Sequence, residues 1–301
     1  MRNFLINLAA ITLAASTLSC QQVADDSAES RSMTTIHIQA SLFNENEISG
    51  WTSGDESDLT LNGQQVKSRA GEDAVSRMAF FLLDEDGNQT IAQELSNNED
   101  GFMTLYAEVP TGTYELIAFG HNGSGNVSLT EEKEISPTGK LTDSFHHYQT
   151  LTLSEDSANS QSIVLNRCIA KFSIKHTDAI PTGTATVETT VTGGSNIMDA
   201  TTGFAASAVN QTITINIPES AAGTKNNTFS FFTFLTEEES TIDVTATAKD
   251  KDGNTIVTHT FEDIEVEINM QTIYSGVFFH ADHTTNITIN SEWKDDKVVT
   301  F

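Results

Sequence analysis

A series of short segments rich in Val, Ile, Thr and Phe constrains the fold of this 301-residue chain more than any other feature. The segments recur from residue 33 to residue 293, and clusters of Gly, Asn, Ser and Thr separate them. No long segment has the 3.6-residue apolar period of a helix, and proline is scarce. Short strands at regular spacing, joined by turns, need no crossover helices. The sequence therefore predicts an all-β fold of tandem antiparallel β-sandwiches.

Polar stretches divide this series into regions. Residues 44–74 are polar and rich in turns, and an apolar run from Met78 to Leu83 then begins the first buried strand. A second polar stretch at 154–160 precedes a long predicted strand at 162–176. We therefore place the N-terminal sandwich at 33–158 and the C-terminal sandwich at 159–301. Within the first, residues 33–43 alternate between apolar and polar side chains, as a half-buried strand does.

The first twenty residues have the order of a secretory signal. A basic Arg2 precedes the apolar run 4–18, and small Ser19 precedes Cys20. The order Thr17-Leu18-Ser19-Cys20 resembles a bacterial lipobox, in which Cys20 is acylated and becomes the mature N-terminus. Two or three acyl chains would anchor the protein to the outer membrane. Residues 21–32 are acidic and predict a tether.

The charge of the chain excludes one class of partner. Lys and Arg number 15 against 42 Asp and Glu, which gives a formal net charge of -27. Nucleic acid phosphates repel a chain this acidic, so we expect no DNA or RNA binding.

The sequence contains no arrangement of residues that indicates catalysis or a cofactor. Its histidines lack the spacing of a helical metal site, and Cys168 has no identifiable base beside it. Two turns of the form D-x-D-G-N, at 84–88 and 250–254, invite a calcium interpretation. The glycine comes too early for an EF-hand loop, and Leu95 and Phe261 stand where its closing glutamate would be. Hairpin turns explain the two motifs better, and their recurrence suggests two related sandwiches.

Four features span nearly the whole chain: the lipoprotein signal followed by one alternating strand, Ser68-Arg69-Ala70-Gly71 ahead of VSRMAFFLLDEDG (75–87), the strand VLNRCIAKFSIKH (164–176), and the tail with NMQTIYSG (269–276), ITINSEW (287–293) and VVTF (298–301). Together they resemble the Bacteroidales fimbrillin superfamily, the lipoprotein-derived subunits of type V fimbriae and their anchor-type accessory subunits.

This resemblance implies two transthyretin-like β-sandwiches and assembly by strand exchange. The strand at 33–43 would complete its own sheet until an arginine-specific protease cuts between Arg69 and Ala70 and removes residues 33–69. The C-terminal region, 286–301, of another fimbrial subunit would then fill the groove. Arg31, Lys67 and Arg77 are competing basic sites. An anchor-type subunit would instead keep its lipid and stay uncut, and the sequence leaves both alternatives open.

A second interpretation is a non-polymerising surface lipoprotein whose sandwiches bind carbohydrate. Such a protein needs an exposed aromatic platform. Trp51 lies in the linker and Trp293 in a terminal strand, so neither is an obvious platform. Host proteins or glycans are partners under both interpretations, and neither interpretation is enzymatic.

Overall fold

The structure is a computed structural model. It describes residues 32–43, 60–61, 64–65, 74–155, 159–280 and 285–290, with the backbone alone for 60–61, 64–65 and 285–290.

The regular structure of the described residues is almost entirely β-strand. The strands are β1 (Met33–Leu42), β2 (Thr60–Leu61), β3 (Gln64–Gln65), β4 (Arg77–Leu83), β5 (Gln89–Ser96), β6 (Thr104–Pro110), β7 (Gly112–His121), β8 (Val127–Leu129), β9 (Glu134–Pro137), β10 (Ser144–Leu153), β11 (Ser160–Arg167), β12 (Ala170–His176), β13 (Thr184–Thr192), β14 (Met198–Asp199), β15 (Gln211–Asn216), β16 (Thr228–Thr233), β17 (Glu239–Asp250), β18 (Thr255–Glu267), β19 (Gln271–Gly276) and β20 (Thr285–Asn290). A 3-10 helix spans Glu219–Ala221. No helix in the described part of the chain is long and apolar enough to cross a membrane.

The first sandwich is one seven-stranded sheet that folds over on itself. Its strand order is β5-β4-β7-β10-β11-β1-β6. Where the sheet folds over, β10 pairs with β11 at only two positions, Phe145–Arg167 and His146–Asn166. A single core cluster contains side chains from both parts, so the β5-β4-β7-β10 layer packs against the β11-β1-β6 layer; it includes Ile36, Ile38, Phe80, Leu82, Leu105, Leu116, Ile163 and Leu165.

The second sandwich consists of two four-stranded sheets. Their orders are β15-β13-β17-β18 and β16-β12-β19-β20. One cluster of buried side chains fills the space between them and includes Phe172, Val187, Val191, Phe229, Phe231, Val244, Ala246 and Ile264. The predicted all-β fold of tandem sandwiches is thus confirmed. Each sandwich also contains one parallel pair, β1 with β11 and β12 with β19, among its antiparallel neighbours.

The two sandwiches share the same strand topology. In chain order, β1, β4, β5, β6, β7, β10 and β11 occupy the sheet positions that β12, β13, β15, β16, β17, β18 and β19 occupy in the second sandwich. The second sandwich adds β20 beside β19. The two halves are therefore structural repeats, and the C-terminal strand is an addition to the repeat.

The two D-x-D-G-N turns are equal in geometry but lie at different places in this repeat. Asp84 Oδ1 accepts hydrogen bonds from the backbone N–H groups of Asp86 and Asn88, and Asp250 does the same for Asp252 and Asn254. The first turn joins β4 to β5, whereas the second joins β17 to β18, which correspond to β7 and β10. The motif is therefore a favourable hairpin-turn sequence that occurs at two positions that do not correspond, and it is not evidence for the duplication.

The chain passes from one sandwich to the other inside the segment predicted as a single strand at 162–176. The backbone N–H of Cys168 still donates to Ser144 in the first sandwich. The carbonyl of Ile169 accepts from Asn269 N–H in the second. The change of hydrogen-bonding partner divides the predicted strand into β11 and β12. The predicted second sandwich begins at residue 159, whereas β11, which starts at Ser160, belongs to the first sandwich.

A separate apolar cluster joins the two sandwiches and explains the unbroken apolar run of β4. Met78, Phe80 and Leu82 point into the first core. Ala79, Phe81 and Leu83 point the other way, into a cluster that also contains Met198, Ala205 and Phe234 from the second half of the chain. Because both faces of β4 are covered, its sequence is continuously apolar and does not alternate.

Two histidines in the first sandwich should make the fold sensitive to acid. Burial lowers the pKa of His121 and of His146 from 6.5 to about 4. The unfolded chain takes up these protons near pH 6.5, whereas the folded chain takes them up only near pH 4. The contribution of the two neutral histidines to stability is therefore fully present above pH 6.5 and is lost as the pH falls toward 4. Between pH 7 and pH 5 we expect His121 alone to lower the free energy of unfolding by about 2 kcal/mol.

Urea unfolding of the wild type and of His121→Gln at pH 7, 6 and 5 measures this loss. The variant should lose less stability on acidification than the wild type, because its amide cannot titrate. Equal losses in the two proteins would contradict the assignment to His121.

Candidate functional site: the first strand in its sheet

Strand β1 lies in the interior of the first sheet although the described chain begins with it. It pairs in parallel with β11 over six residues, from His37–Ser160 to Leu42–Leu165. On its other side it pairs antiparallel with β6 over seven, from Met33–Pro110 to Gln39–Thr104. A strand with two neighbours has its backbone N–H and C=O groups satisfied on both sides.

One face of β1 fills the core of the first sandwich. Ile36 and Ile38 are completely buried and Ala40 nearly so, and Leu42 packs against the same cluster. Full burial of an Ile side chain contributes about 1.5–3 kcal/mol. The alternation predicted from the sequence of 33–43 is therefore the alternation of a core strand. Removing β1 would open an apolar groove between β6 and β11.

Side-chain contacts hold both ends of β1 in register. Near its start, Asn159 Nδ2 donates to Thr34 Oγ1 at 2.7 Å. Near its end, Ser41 Oγ donates to the Ile163 carbonyl at 3.2 Å. These contacts hold β1 in one register against β11. Burial of the apolar face favours the same register, because a shift of one residue would turn that face to solvent.

The C-terminal strand β20 has the opposite character. It pairs antiparallel with β19 over residues Thr285–Asn290 and is the last strand of its sheet. Ahead of it, the Asp178 carboxylate accepts hydrogen bonds from the backbone N–H groups of Phe278, Phe279 and His280. Burial raises the pKa of Asp178, but the bonds from the Phe278 and Phe279 N–H groups and the bond with the His280 side chain bring it below its usual value. The start of the C-terminal segment is therefore fixed, and among the described residues β20 pairs on one side, with β19.

Two residues of the fimbrillin-like motifs meet between the sandwiches. Arg167, the last residue of β11, makes a bidentate ion pair with Asp143, through Nε at 2.7 Å and Nη2 at 3.0 Å. Its Nη1 donates to Asn269 Oδ1 at 2.6 Å. The guanidinium also lies over the Phe145 ring, 4.8 Å from its centroid. The sequence motifs around Arg167 and Asn269 thus form one contact that ties β11 to the turn before β19.

The residues predicted for lipidation and for proteolytic cleavage are not part of this strand site. Cys20, Arg69 and Ala70 are outside the described residues, as are the competing Arg31 and Lys67. The fourth basic site, Arg77, begins β4, which pairs with β5 and β7 on both sides. Its Nε donates to Glu94 Oε1 at 2.6 Å. A protease needs an extended and accessible backbone, so Arg77 is a poor site for cleavage in the folded chain.

Residues with other chemical potential are engaged in structure. Burial raises the pKa of the Cys168 thiol, which is the opposite of what a nucleophile needs. Within the described ranges, no three His, Cys, Asp or Glu side chains group closely enough to hold a metal ion. The oxygens of Asp84 and Asp250 are taken up by their own turns. These turns therefore serve as hairpin connections.

Sequence reasoning missed the contact between Arg167 and Asp143 and the position of β1 between two neighbours. An alternating strand reports that one face is buried but carries no information about its partners. The Arg167 contact joins residues far apart in sequence, and no local pattern marks it.

Residues 105–300 match the model of a family described as a family of unknown function (DUF6562). The chain belongs to this family. The match runs from β6 through β20 and so includes most strands of both sandwiches. A comparison with curated protein sequences finds no match.

Solved structures resemble this DUF6562 member in fold at low sequence identity. A "putative adhesin" from Bacteroides ovatus has a TM-score of 0.50 and 13% identity, with 83% of this chain and 88% of that chain covered. "Putative polysaccharide binding proteins (DUF1812)" from Bacteroides thetaiotaomicron have 0.47 and 9%, covering 87% and 98%. The fimbrial anchor protein Mfa2 from Porphyromonas gingivalis has 0.39 and 11%, covering 85% and 97%. At such identities the likeness concerns the fold alone, and the Bacteroides ovatus structure, with its TM-score of 0.50, agrees with the predicted all-β sandwich fold.

Proposed function

We propose that this DUF6562 protein is a non-enzymatic cell-surface subunit of fimbriae, structural or adhesive, that assembles by β-strand donation. The observation that carries the proposal is the place of β1, the first described strand, which lies between β6 and β11. The fold shared with the Bacteroides ovatus protein described as a "putative adhesin" supports the surface role. Cys20, acylated after signal cleavage, would anchor the precursor in the outer membrane.

The physical step is replacement of one strand by another. Loss of β1 would expose the free edges of β6 and β11 together with the apolar floor that Ile36, Ile38 and Ala40 cover. Unpaired strand edges recruit another strand through backbone hydrogen bonds, and alternate side chains fill the pockets. The exposed groove therefore accepts an extended segment with the apolar alternation of β1.

The release of β1 requires a cut between it and β4. Arg69–Ala70 lies in the segment that joins the two strands, and Arg77 is held inside the sheet. In a shaft subunit the cut separates the lipid-bearing β1 from the remaining protein. In an anchor subunit the bond stays intact and β1 remains in place.

The donor is the C-terminal region, 286–301, of another copy or another fimbrial subunit. It includes β20 from its second residue on. Among the described residues β20 pairs with β19, so it can leave the sheet at the cost of the hydrogen bonds to that strand. Its Ile287 and Ile289 are two residues apart, as Ile36 and Ile38 are in β1. This spacing matches what the groove needs, because residues two apart on a strand face the same side.

The test treats the folded precursor with an arginine-specific protease. We expect a cut at Arg69–Ala70, followed by polymers that start at Ala70, as measured by mass spectrometry and light scattering. Arg69→Ala should keep residues 69 and 70 joined and remain monomeric. A chain truncated after residue 284 should be cut but should not polymerise.

Two results separate the alternatives. Resistance of the folded wild type at Arg69, with a lipid-bearing Cys20 on cells, would identify an uncut anchor subunit and contradict the shaft role. Cleavage at Arg69 without polymers at any concentration would contradict strand donation altogether.

A further inference from the structure

A cleft lies where the two sandwiches meet, apart from the strand site. Its volume is about 440 Å³. From the first sandwich His146, Tyr148 and Asn166 line it, and from the second Thr202, Phe204 and Glu238. Ligand sites occur preferentially at such junctions.

His146 gives the cleft a neutral hydrogen-bond acceptor. Its Nε2 lies 2.7 Å from the Ala200 carbonyl, an acceptor, so Nε2 carries the proton and donates. Burial lowers the pKa of His146 to about 4, so the ring is neutral at pH 7. Nδ1 is therefore a bare acceptor, and no described residue donates to it.

The turn opposite His146 comes close to that nitrogen. Gly203 has a φ of +80°, and a Cβ at this position would come within 2.9 Å of His146 Nδ1. The turn is held by Asp199 Oδ1, which accepts from Thr201 N–H at 2.8 Å and from Thr201 Oγ1 at 2.7 Å. A glycine thus stands where any side chain would crowd the acceptor.

The other walls combine rings with polar groups. Tyr148 and Phe204 are partly exposed, and the Tyr148 hydroxyl donates to Glu115 Oε1 at 3.0 Å, which fixes its ring. Asn166 and Thr202 are exposed and offer an amide and a hydroxyl. Apolar ring surface beside directed donors and acceptors suits a ligand with both C–H faces and hydroxyl groups.

The charge of the cleft selects against ions. The guanidinium of Arg167, which also lines the cleft, is neutralised by its bidentate pair with Asp143. Glu238 and a net charge of -27 on the whole chain repel anions. A neutral ligand meets none of this repulsion.

We propose that this cleft binds a neutral saccharide of one or two sugar residues, with His146 Nδ1 accepting a hydrogen bond from a sugar hydroxyl. The rings of Tyr148 and Phe204 contact the C–H face of the sugar, and Asn166 and Thr202 contact further hydroxyls. The site is independent of strand donation, since it uses neither β1 nor β20. Because the cleft is open and the ligand small, we expect a Kd of about 1 mM.

The test uses ligand-observed NMR on the uncut mature chain with maltose, cellobiose, lactose and N-acetyllactosamine, and sialyllactose as the anionic comparison. At least one neutral disaccharide should bind near the expected Kd. Asn166→Ala should weaken it roughly tenfold. Thr202→Trp, which fills the cleft from an exposed position, should abolish it without unfolding the protein.

Tyr106→Ala is the matched control. Tyr106 is the most exposed large apolar side chain in the described ranges, at 70%, and lies on β6 away from the cleft. Binding should survive this change and also Arg69→Ala, which blocks only the proposed processing. Failure of all four neutral disaccharides at about 10 mM, tighter binding of sialyllactose, or loss of binding in Tyr106→Ala but not in Thr202→Trp would each overturn the proposal.

Discussion

Ile38→Ala should lower the free energy of unfolding by about 2–5 kcal/mol. Ile38 is completely buried in the first core, and truncation leaves a cavity that the neighbouring strands cannot fill without losing their own pairing. Urea unfolding at pH 7 measures the change. The effect should be among the largest of any single substitution in β1, because the opposite face of the strand contributes little burial.

Gln39→Ala is the control in the same strand. Gln39 is exposed, and its side chain bonds to Thr104 and to nearby backbone carbonyls. Its loss should change the unfolding free energy by no more than about 0.5–1 kcal/mol. Similar effects for the two variants would mean that β1 is not the core strand that its position indicates.

Arg167→Met should cost about 2–4 kcal/mol, because it leaves the Asp143 carboxylate and the Asn269 amide without their shared partner. The Arg167 and Asp143 side chains are about one-fifth exposed, which keeps the cost below that of a fully buried pair. The site joins the sandwiches, so we also expect the variant to be cut more readily by proteases between β11 and β12. Thermal unfolding and limited proteolysis measure both effects.

Lys249→Met provides the comparison for a more exposed pair. Lys249 Nζ lies 2.9 Å from Glu188 Oε2 on the face of one sheet of the second sandwich. Such pairs contribute about 0–1 kcal/mol. If Arg167→Met were no more harmful than Lys249→Met, the contact between the sandwiches would be incidental to stability.

Several elements were predictable because their signals are local. The alternation of residues 33–43 predicted a half-buried strand, and Ile36, Ile38 and Ala40 do point inward. The two D-x-D-G-N motifs predicted hairpin turns, because an aspartate can accept hydrogen bonds from backbone groups two and four residues ahead.

Other predictions required partners that a sequence does not name. The apolar segment at 162–176 has the composition of one strand, yet it divides at Cys168 and Ile169 because the two halves bond to different sheets. The turn motifs suggested a duplication that exists, but they lie in hairpins that do not correspond. The repeat became visible only in the order of strands within the sheets.

The sequence by itself determined the all-β class, the positions of most strands and turns, and a strongly acidic surface. These follow from side-chain period, turn chemistry and charge, each of which acts over a few residues or needs no structure at all. Only the tertiary structure decided that β1 lies between β6 and β11, that Arg167 meets Asp143 and Asn269, and that a cleft opens beside His146. Strand neighbours and side-chain contacts of this kind join residues far apart in the chain, and the packing of the whole molecule selects them.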